Sequence, residues 1–287
     1  MVPDPRTTKI DLARFYERIA DWILPHLEGR PLTLVRCPDG LRGQCFYMKH
    51  SKVWAPPALR RVEIQEKTKV GEYLVADTPP AVISLVQMDI LEFHTWNTRV
   101  DRIEQPDRLV FDIDPGEQVA WPQTVDAARL VRALLESVEL ASFPKTTGGR
   151  GLHVVVPLAR KADWRECLAF ARSLAVAIER HAPDRFTTAF AKAGRERKIL
   201  IDYLRNNRTN TSIAAFSTRA RPGAPVSVTL RWNEVAAGLQ PGDFTVATVE
   251  TRLKKLRRDP WAGYWTSRQR LSKKAVAAIA AAASGRR

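Results

Sequence analysis

Cysteine is scarce in this sequence: 3 residues in 287, at Cys37, Cys45 and Cys167. Three cannot build the disulfide scaffold of a small secreted domain, so the expectation is ordinary buried thiols in a reducing compartment. Cys37 and Cys45 have seven residues between them and no second pair nearby to complete a zinc tetrahedron. No apolar run reaches the ~18 residues of a helical membrane span. The stretch from Met1 to Lys9 lacks the apolar centre of a secretory signal. We find no internal repeat, no long linker and no Gly-Lys-Ser/Thr phosphate loop. No Ser-His-Asp spacing or Cys-His pair suits covalent catalysis, and His26, His50 and His181 carry no supporting pattern. These absences exclude membrane-spanning helices, disulfide modules and P-loop nucleotidases.

Acids are also in deficit. Lys and Arg number 46 against 31 Asp and Glu, a net charge of +15. Such an excess points to a polyanionic partner, nucleic acid or an acidic membrane. The charge is uneven: from Thr251 to Arg287 there are eleven basic residues and one acid, Asp259. A division into residues 1–250 as one compact catalytic core and 251–287 as a basic helical segment follows from this. With 45% hydrophobic residues the chain can bury a large core.

Apolar periodicity predicts helices over Asp11–Leu27, Pro79–Met88, Thr124–Val138 and Trp164–Glu179. The alanine-rich tail is also read as helix. Short strands are predicted over Leu32–Cys37, Gln44–Lys49, Val62–Gln65, Glu72–Val75, Leu91–His94, Leu109–Asp114, Ala141–Lys145, Leu152–Leu158, Lys198–Leu204, Thr211–Phe216 and Val226–Leu230. Pro38-Asp39-Gly40 turns the first pair into a hairpin. Mixed helices and strands with several hairpins favour α+β over a doubly wound parallel sheet.

The chemistry begins with Asp112 and Asp114. At positions i and i+2 of a strand both carboxylates project from one face and repel unless a cation lies between them. Mg²⁺ and Mn²⁺ prefer such hard oxygen donors, although a solvated strand end before Pro115-Gly116 is the plainer alternative. Asp202 sits in the apolar run Ile199-Leu200-Ile201, where an unpaired acid is costly. Its partner is either Arg205 or a shared metal, and a third carboxylate would complete a two-metal site for phosphoryl or nucleotidyl transfer. Thr147-Gly148-Gly149-Arg150-Gly151 and His153 combine backbone N–H groups, a hydroxyl, a guanidinium and an imidazole, a set suited to phosphate; a tight turn with an exposed Arg is the competing reading. Arg195, Lys198, Arg205 and Arg219 lie in a stretch rich in Arg, Asn and Thr that fits a triphosphate or a nucleic-acid backbone, or else a solvated loop. Phe46-Tyr47-Met48-Lys49 offers aromatics beside a cation, as base stacking needs, with core aromatics as the alternative. His94 alone near a strand end is more often structural.

Taken in order, Phe111-Asp112-Ile113-Asp114-Pro115-Gly116, Thr147-Gly148-Gly149-Arg150-Gly151-Leu152-His153 and Ile201-Asp202-Tyr203-Leu204-Arg205-Asn206 resemble the polymerase domain of bacterial ligase D. That domain is the end-joining branch of the archaeo-eukaryotic primase superfamily. Arg30–Gly40, Val86-Gln87-Met88, Phe93–Asn97 and Asp259-Pro260-Trp261-Ala262 extend the resemblance over nearly the whole chain. It implies an archaeo-eukaryotic primase-type core with an RRM-like sheet, flanking helices and a helical C-terminus. It also implies templated addition of nucleotides, preferably ribonucleotides, to a 3′ end with two Mn²⁺ or Mg²⁺ ions. By motif, Asp112, Asp114 and Asp202 are the metal ligands. Thr147, Gly148, Arg150, His153 and Arg219 would hold the triphosphate or sugar. Lys49, His94 and Arg205 would line the same pocket, with Tyr47 or Phe46 stacking on the base. Lys9, Arg195 and Lys198 would touch DNA.

The chain departs from the family in having Thr147 where Ser is usual and Arg150 where Lys is frequent. Of the two family lysines that grip a 5′-phosphate, it carries the one matching Lys9. The implied partners are gapped or end-containing DNA, NTP or dNTP, Ku and a DNA ligase, for a monomer in the bacterial cytoplasm at the nucleoid. A metal-dependent nuclease and a non-catalytic DNA end-bridging module are the alternative readings.

Overall fold

The computed structural model describes residues 7–51, 55–191 and 193–285. Residues 1–6 of the N-terminal stretch, and Arg286 and Arg287 of the basic tail, lie outside them. In chain order the first elements are α1 (Lys9–Arg18), α2 (Ala20–Leu27), β1 (Leu32–Arg36), β2 (Phe46–Met48), β3 (Arg60–Gln65), β4 (Val70–Val75), α3 (Pro79–Gln87) and β5 (Ile90–Thr95). They are followed by β6 (Arg108–Pro115), α4 (Trp121–Glu136), β7 (Phe143–Thr146), β8 (Leu152–Pro157), α5 (Trp164–His181), β9 (Phe186–Thr187) and β10 (Ile199–Asp202). The last are β11 (Ser212–Ile213), α6 (Val246–Lys255), α7 (Ala262–Thr266) and α8 (Lys273–Ser284).

The chain forms two compact units that alternate along the sequence. One comprises residues 1–101, 211–228 and 242–257, the other 102–210, 229–241 and 258–287. The charge step near residue 250 is not a boundary between them: α6 belongs to the first unit, α7 and α8 to the second.

The first unit contains a four-stranded sheet ordered β11-β5-β1-β2 and the separate β3-β4 hairpin. Helix α1 starts at Thr8, whose side chain accepts from Asp11 N while Asp11 caps Thr8 N in return, and it buries Leu12, Phe15 and Tyr16. The single helix expected over 11–27 is interrupted at Ile19, which has φ −104° and ψ 14°, so two helices form. The β1–β2 hairpin forms as the turn residues require, with Arg36 opposite Phe46. The next pair outward in that register is Cys37 and Cys45, and the two are joined in a disulfide with Cα atoms 4.3 Å apart. This corrects the reading of separate thiols: antiparallel pairing brings directly opposed residues to ~4.5–5.5 Å, the range in which a bridge closes. Cys167 stays a free buried thiol.

The second unit is built on a five-stranded sheet ordered β7-β8-β6-β10-β9, antiparallel except for β9–β10. Central β6 buries Phe111 and Ile113 on one face and presents Asp112 and Asp114 on the other. Helix α5 buries Cys167, Phe170, Ala171 and Leu174 along one stripe. The tail helix α8 packs on α5 through Ala275 and Ile279. Trp261 and Tyr264 join Val110 and Val155 in the core, with Trp261 Nε1 donating to Pro144 O at 2.9 Å. The strands expected over 211–216 and 226–230 are shorter than predicted. Only Ser212–Ile213 pairs as a strand, while Val226 and Thr229 form isolated bridges with Thr218 and Lys145.

Candidate functional site

Two clusters of polar side chains stand out, one in each unit. In the second unit, register decides the arrangement. Asp112 on β6 lies opposite His153 on β8 and opposite Asp202 on β10. Directly paired residues share a face, so an imidazole and two carboxylates form a row across three neighbouring strands. His153 Nε2 is 3.4 Å from Asp112 Oδ1. A 3-10 turn over Leu204–Asn206 follows β10. Asn206 is 1% exposed and locks this turn to β6, donating to Val110 O and accepting from Val110 N, both at 2.8 Å. That lock brings Arg205 over the row. Its guanidinium reaches Asp112 Oδ2 at 3.0 Å and Asp202 Oδ2 at 3.0 Å. Arg195 Nη2 donates to Asp114 Oδ2 at 2.9 Å, while its Nη1 is buried with no hydrogen-bond partner.

Burial would raise the Asp112 carboxyl, but His153 and Arg205 overcome it and hold it far below the usual carboxylate range. Burial pushes Asp202 up to about 6, against the pull of Arg205 and with the charges of Asp112 and Asp114 adding to the rise. Burial, reinforced by Lys145, lowers His153 to about 4. The imidazole is therefore neutral at pH 7, and its contact with Asp112 is a hydrogen bond rather than an ion pair. Donation from Nε2 leaves Nδ1 as an acceptor, buried and without a partner.

The Gly-rich loop is folded onto the same sheet. Gly148 has φ +66°, a conformation that side chains disfavour. A Cβ on Gly151 would lie 2.5 Å from Ile113 O, so the loop runs against β6 only because that position is bare. Thr147 Oγ1 donates to Gly151 O at 3.1 Å and accepts from Gly149 N at 3.2 Å. Arg150 Nη2 donates to the carbonyls of Gly116, Glu117 and Val119 at 3.1, 3.0 and 3.1 Å, tying down the segment after β6. Lys198 caps that segment through its backbone, accepting from Gly116 N at 2.9 Å.

In the first unit the cluster centres on β5, which is buried throughout. His94 Nε2 and Glu92 Oε2 are 2.8 Å apart, Arg219 Nε lies 3.0 Å from Glu92 Oε1, and Ala220 N donates to the same oxygen at 2.8 Å. Burial would raise Glu92, but the His94 hydrogen bond and the Arg219 charge hold it down at about 2. On β2, Phe46 and Tyr47 are 43% and 67% exposed, so they are not core aromatics. The Tyr47 ring meets the His94 ring edge-on at 5.9 Å between centroids. Lys49 is exposed beyond the end of β2. Lys9 pairs with Asp89 and donates to Gln87 O at 3.3 Å at the end of α3.

Three residues escaped the sequence reading. Glu92 lies two positions before His94 on the same face of β5, and an acid within Ile90-Leu91-Glu92-Phe93 was the available signal. Lys145 is 4% exposed, an amine buried next to the Gly-rich loop. Asn206 was visible only as one polar residue among several.

The three aspartates supply hard oxygen donors, and two of them are paired in register. The donor chemistry thus fits a divalent ion such as Mg²⁺ or Mn²⁺. Among the described residues, however, no three His, Cys, Asp or Glu side chains converge as a finished metal site. Arg205 and Arg195 provide the counter-charge instead.

Comparison with known proteins gives a consistent result. The family described as the LigD primase-polymerase domain matches residues 8–261. The chain is 37% identical over 271 residues to the multifunctional non-homologous end joining protein LigD of Pseudomonas aeruginosa, covering 94% of this chain and 32% of that protein. It is 34% identical over 238 residues to the protein of the same name from Mycolicibacterium smegmatis, covering 82% and 31%. It is 30% identical over 251 residues to the bifunctional non-homologous end joining protein LigD of Bacillus subtilis, covering 87% and 40%. The chain thus spans about a third of the length of the curated relatives it matches. Its fold superposes on the polymerase domain from Mycobacterium tuberculosis ligase D in complex with DNA with a TM-score of 0.84 at 30% identity, covering 92% of this chain and 94% of that one.

Proposed function

Because the chain belongs to the LigD primase-polymerase domain family, we propose that it is a nucleotidyltransferase that extends DNA 3′ ends, preferably with ribonucleotides, in gap filling and non-homologous end joining. The observation that carries this reading is the row of His153, Asp112 and Asp202 across β8, β6 and β10, with Asp114 two positions along. Asp112, Asp114 and Asp202 would hold two Mg²⁺ or Mn²⁺ ions, which when bound lower the pKa of an attacking 3′-hydroxyl and neutralise charge on the leaving pyrophosphate.

The chain's own groups have separable tasks. His153, neutral at pH 7, holds Asp112 in orientation, with its Nδ1 buried and unpartnered. Thr147 braces its loop through Gly149 and Gly151, and the Gly148 N–H and Arg205 offer donors to phosphate oxygens. In the first unit His94 and Arg219, both fixed by Glu92, serve as anion-binding groups. Exposed Tyr47 and Phe46 offer rings to a base, with Lys49 beside them. Lys9, Arg195 and Lys198 are assigned to DNA, and the basic tail adds salt-sensitive, sequence-independent affinity. We assign Ku and a DNA ligase as protein partners, a monomeric state, and a place in the bacterial cytoplasm at the nucleoid.

Primer extension on gapped DNA tests the reading. The protein is supplied with NTPs or dNTPs, Mn²⁺ or Mg²⁺, and a downstream 5′-phosphate or 5′-hydroxyl. Templated extension that disappears in Asp112→Ala while DNA binding persists is the expected result. Shortening of the substrate would replace the polymerase by a nuclease. Firm DNA binding with no extension under any condition would replace it by an end-bridging module.

A further inference from the structure

Away from both clusters, the second unit carries a groove of about 460 Å³ between the segment leading into α5 and the segment leading into α8. Its floor is apolar: Leu158, Leu271 and Val276, the last 41% exposed. Its rim is cationic: Lys161, Arg165 and Arg270. These three are exposed, and none makes an ion pair among the described residues. The walls are set by backbone, with Ala159 N donating to Gln269 O at 2.8 Å. One acid, Glu166, lines the groove, and its carboxylate is engaged in capping α5 by accepting from Asp163 N at 2.9 Å.

The neighbouring helix start adds to the positive charge. The first turn of α8 holds Lys273 and Lys274 and no acid. Helix N-termini carry partial positive charge and favour acids there, so this placement works against the stability of the isolated protein. Three unpaired cations, Lys273 and the α8 N-terminus therefore all ask for negative charge, while Lys274 has a long, exposed contact with Glu139 at 3.8 Å. Of the aliphatic floor Val276 is exposed and Leu271 half-buried over a buried Leu158, and this apolar surface asks for cover that a phosphate backbone does not supply.

We propose that this groove docks an acidic peptide segment of a partner protein, with an aliphatic or aromatic anchor seated over Leu158, Leu271 and Val276 and carboxylates meeting Lys161, Arg165 and Arg270. Arg270, Lys273 and Lys274 belong to the basic tail assigned above to DNA, so this part of the tail goes to a protein partner instead; none of the metal or nucleotide residues is involved.

The test uses the full chain labelled with ¹³C at Leu and Val methyls. The probe is a twelve-residue peptide with five Asp or Glu residues around a Leu-Phe pair. Saturable shifts confined to the methyls of Leu158, Leu271 and Val276 are expected. Replacing the Leu-Phe pair of the probe by Ser should weaken binding by roughly tenfold, and so should Arg165→Glu with Arg270→Glu in the protein. Val276→Ser, a milder change at an exposed position, should weaken it in the same direction. No shift at these methyls, shifts scattered over the basic surface, or equal binding of the Ser-substituted probe would overturn the proposal. So would displacement of the probe by a short duplex that produces the same methyl shifts, because the groove would then be a nucleic-acid surface.

Discussion

Asp112 and Asp202 stand directly opposite each other on antiparallel strands β6 and β10, and one guanidinium, that of Arg205, spans both. Two carboxylates at this separation, buried at 13% and 9% side-chain exposure, cannot both stay ionised without a cation. Arg205→Gln should therefore destabilise the protein in EDTA by about 1–3 kcal/mol, between the cost of losing an exposed pair and that of breaking a buried one, because Arg205 itself is 38% exposed. Millimolar Mn²⁺ should raise the melting temperature of the variant more than that of the wild type. Equal gains for the two would separate Arg205 from the metal-ligand set.

The raised Asp202 carboxyl gives a pH signature. Its folded value of about 6 lies above its ordinary 3.8, so between these values the folded chain keeps a proton that the unfolded chain releases. The favourable contribution of this group is full below about pH 4 and is lost as pH climbs through 6. In EDTA, the wild type should lose about 1–3 kcal/mol relative to Asp202→Asn between pH 4 and 6.5. Denaturant titration at both pH values measures this. Mn²⁺ binding requires the ionised carboxylate, so its affinity should rise over the same window.

Glu92 behaves with the opposite sign. Held at about 2, it contributes stability above its ordinary value of 4.5, and that contribution fades as pH falls toward 2. Glu92→Ala strands His94, Arg219 and the Ala220 N–H and should cost about 2–4 kcal/mol. Glu92→Gln keeps the shape and one acceptor while removing the charge. We expect it to raise KM for the nucleotide by roughly tenfold with a smaller change in kcat, because it would disturb anion-binding groups rather than the carboxylate row. A pure kcat effect would move Glu92 out of that role.

Sequence periodicity recovered most of what positions the site. Asp112, Asp114 and Asp202 were read onto strands, and the sheet places them there; the β1–β2 hairpin and helices α3, α4 and α5 fall close to their predicted spans. What was missed depends on pairing between distant segments. The register that puts Asp202 opposite Asp112 is written in neither strand alone. Glu92 acquires meaning only when Arg219, far along the chain, reaches it. Val226 and Thr229 are β-branched, as strand residues often are, but each meets a different neighbour and only isolated bridges result. The Cys37–Cys45 bridge is a different case: the hairpin was legible, and extending its register by one pair beyond Arg36 and Phe46 would have matched the two cysteines.

Two glycines make a matched comparison. Gly151→Ala places a Cβ 2.5 Å from the Ile113 carbonyl, and since the obstacle is backbone, the Gly-rich loop must lift away from β6. A loss of about 2 kcal/mol or more is expected, together with weaker nucleotide binding. Gly238→Ala meets nothing within 4 Å and should change stability by less than about 0.5 kcal/mol. Urea titration of both variants checks the pair.

The alternation of the two units along the chain bears on how the protein is made. The first unit needs β11 to complete its main sheet and Thr218 to receive the buried hydroxyl of Tyr16, yet both lie more than a hundred residues beyond β5. During synthesis on a ribosome, the N-terminal helices and strands must therefore wait, partly assembled, while most of the second unit emerges. The second unit waits in turn for Trp261 and Tyr264 to fill its core. Neither can be released early as a finished module, and no single cut in the chain separates one from the other.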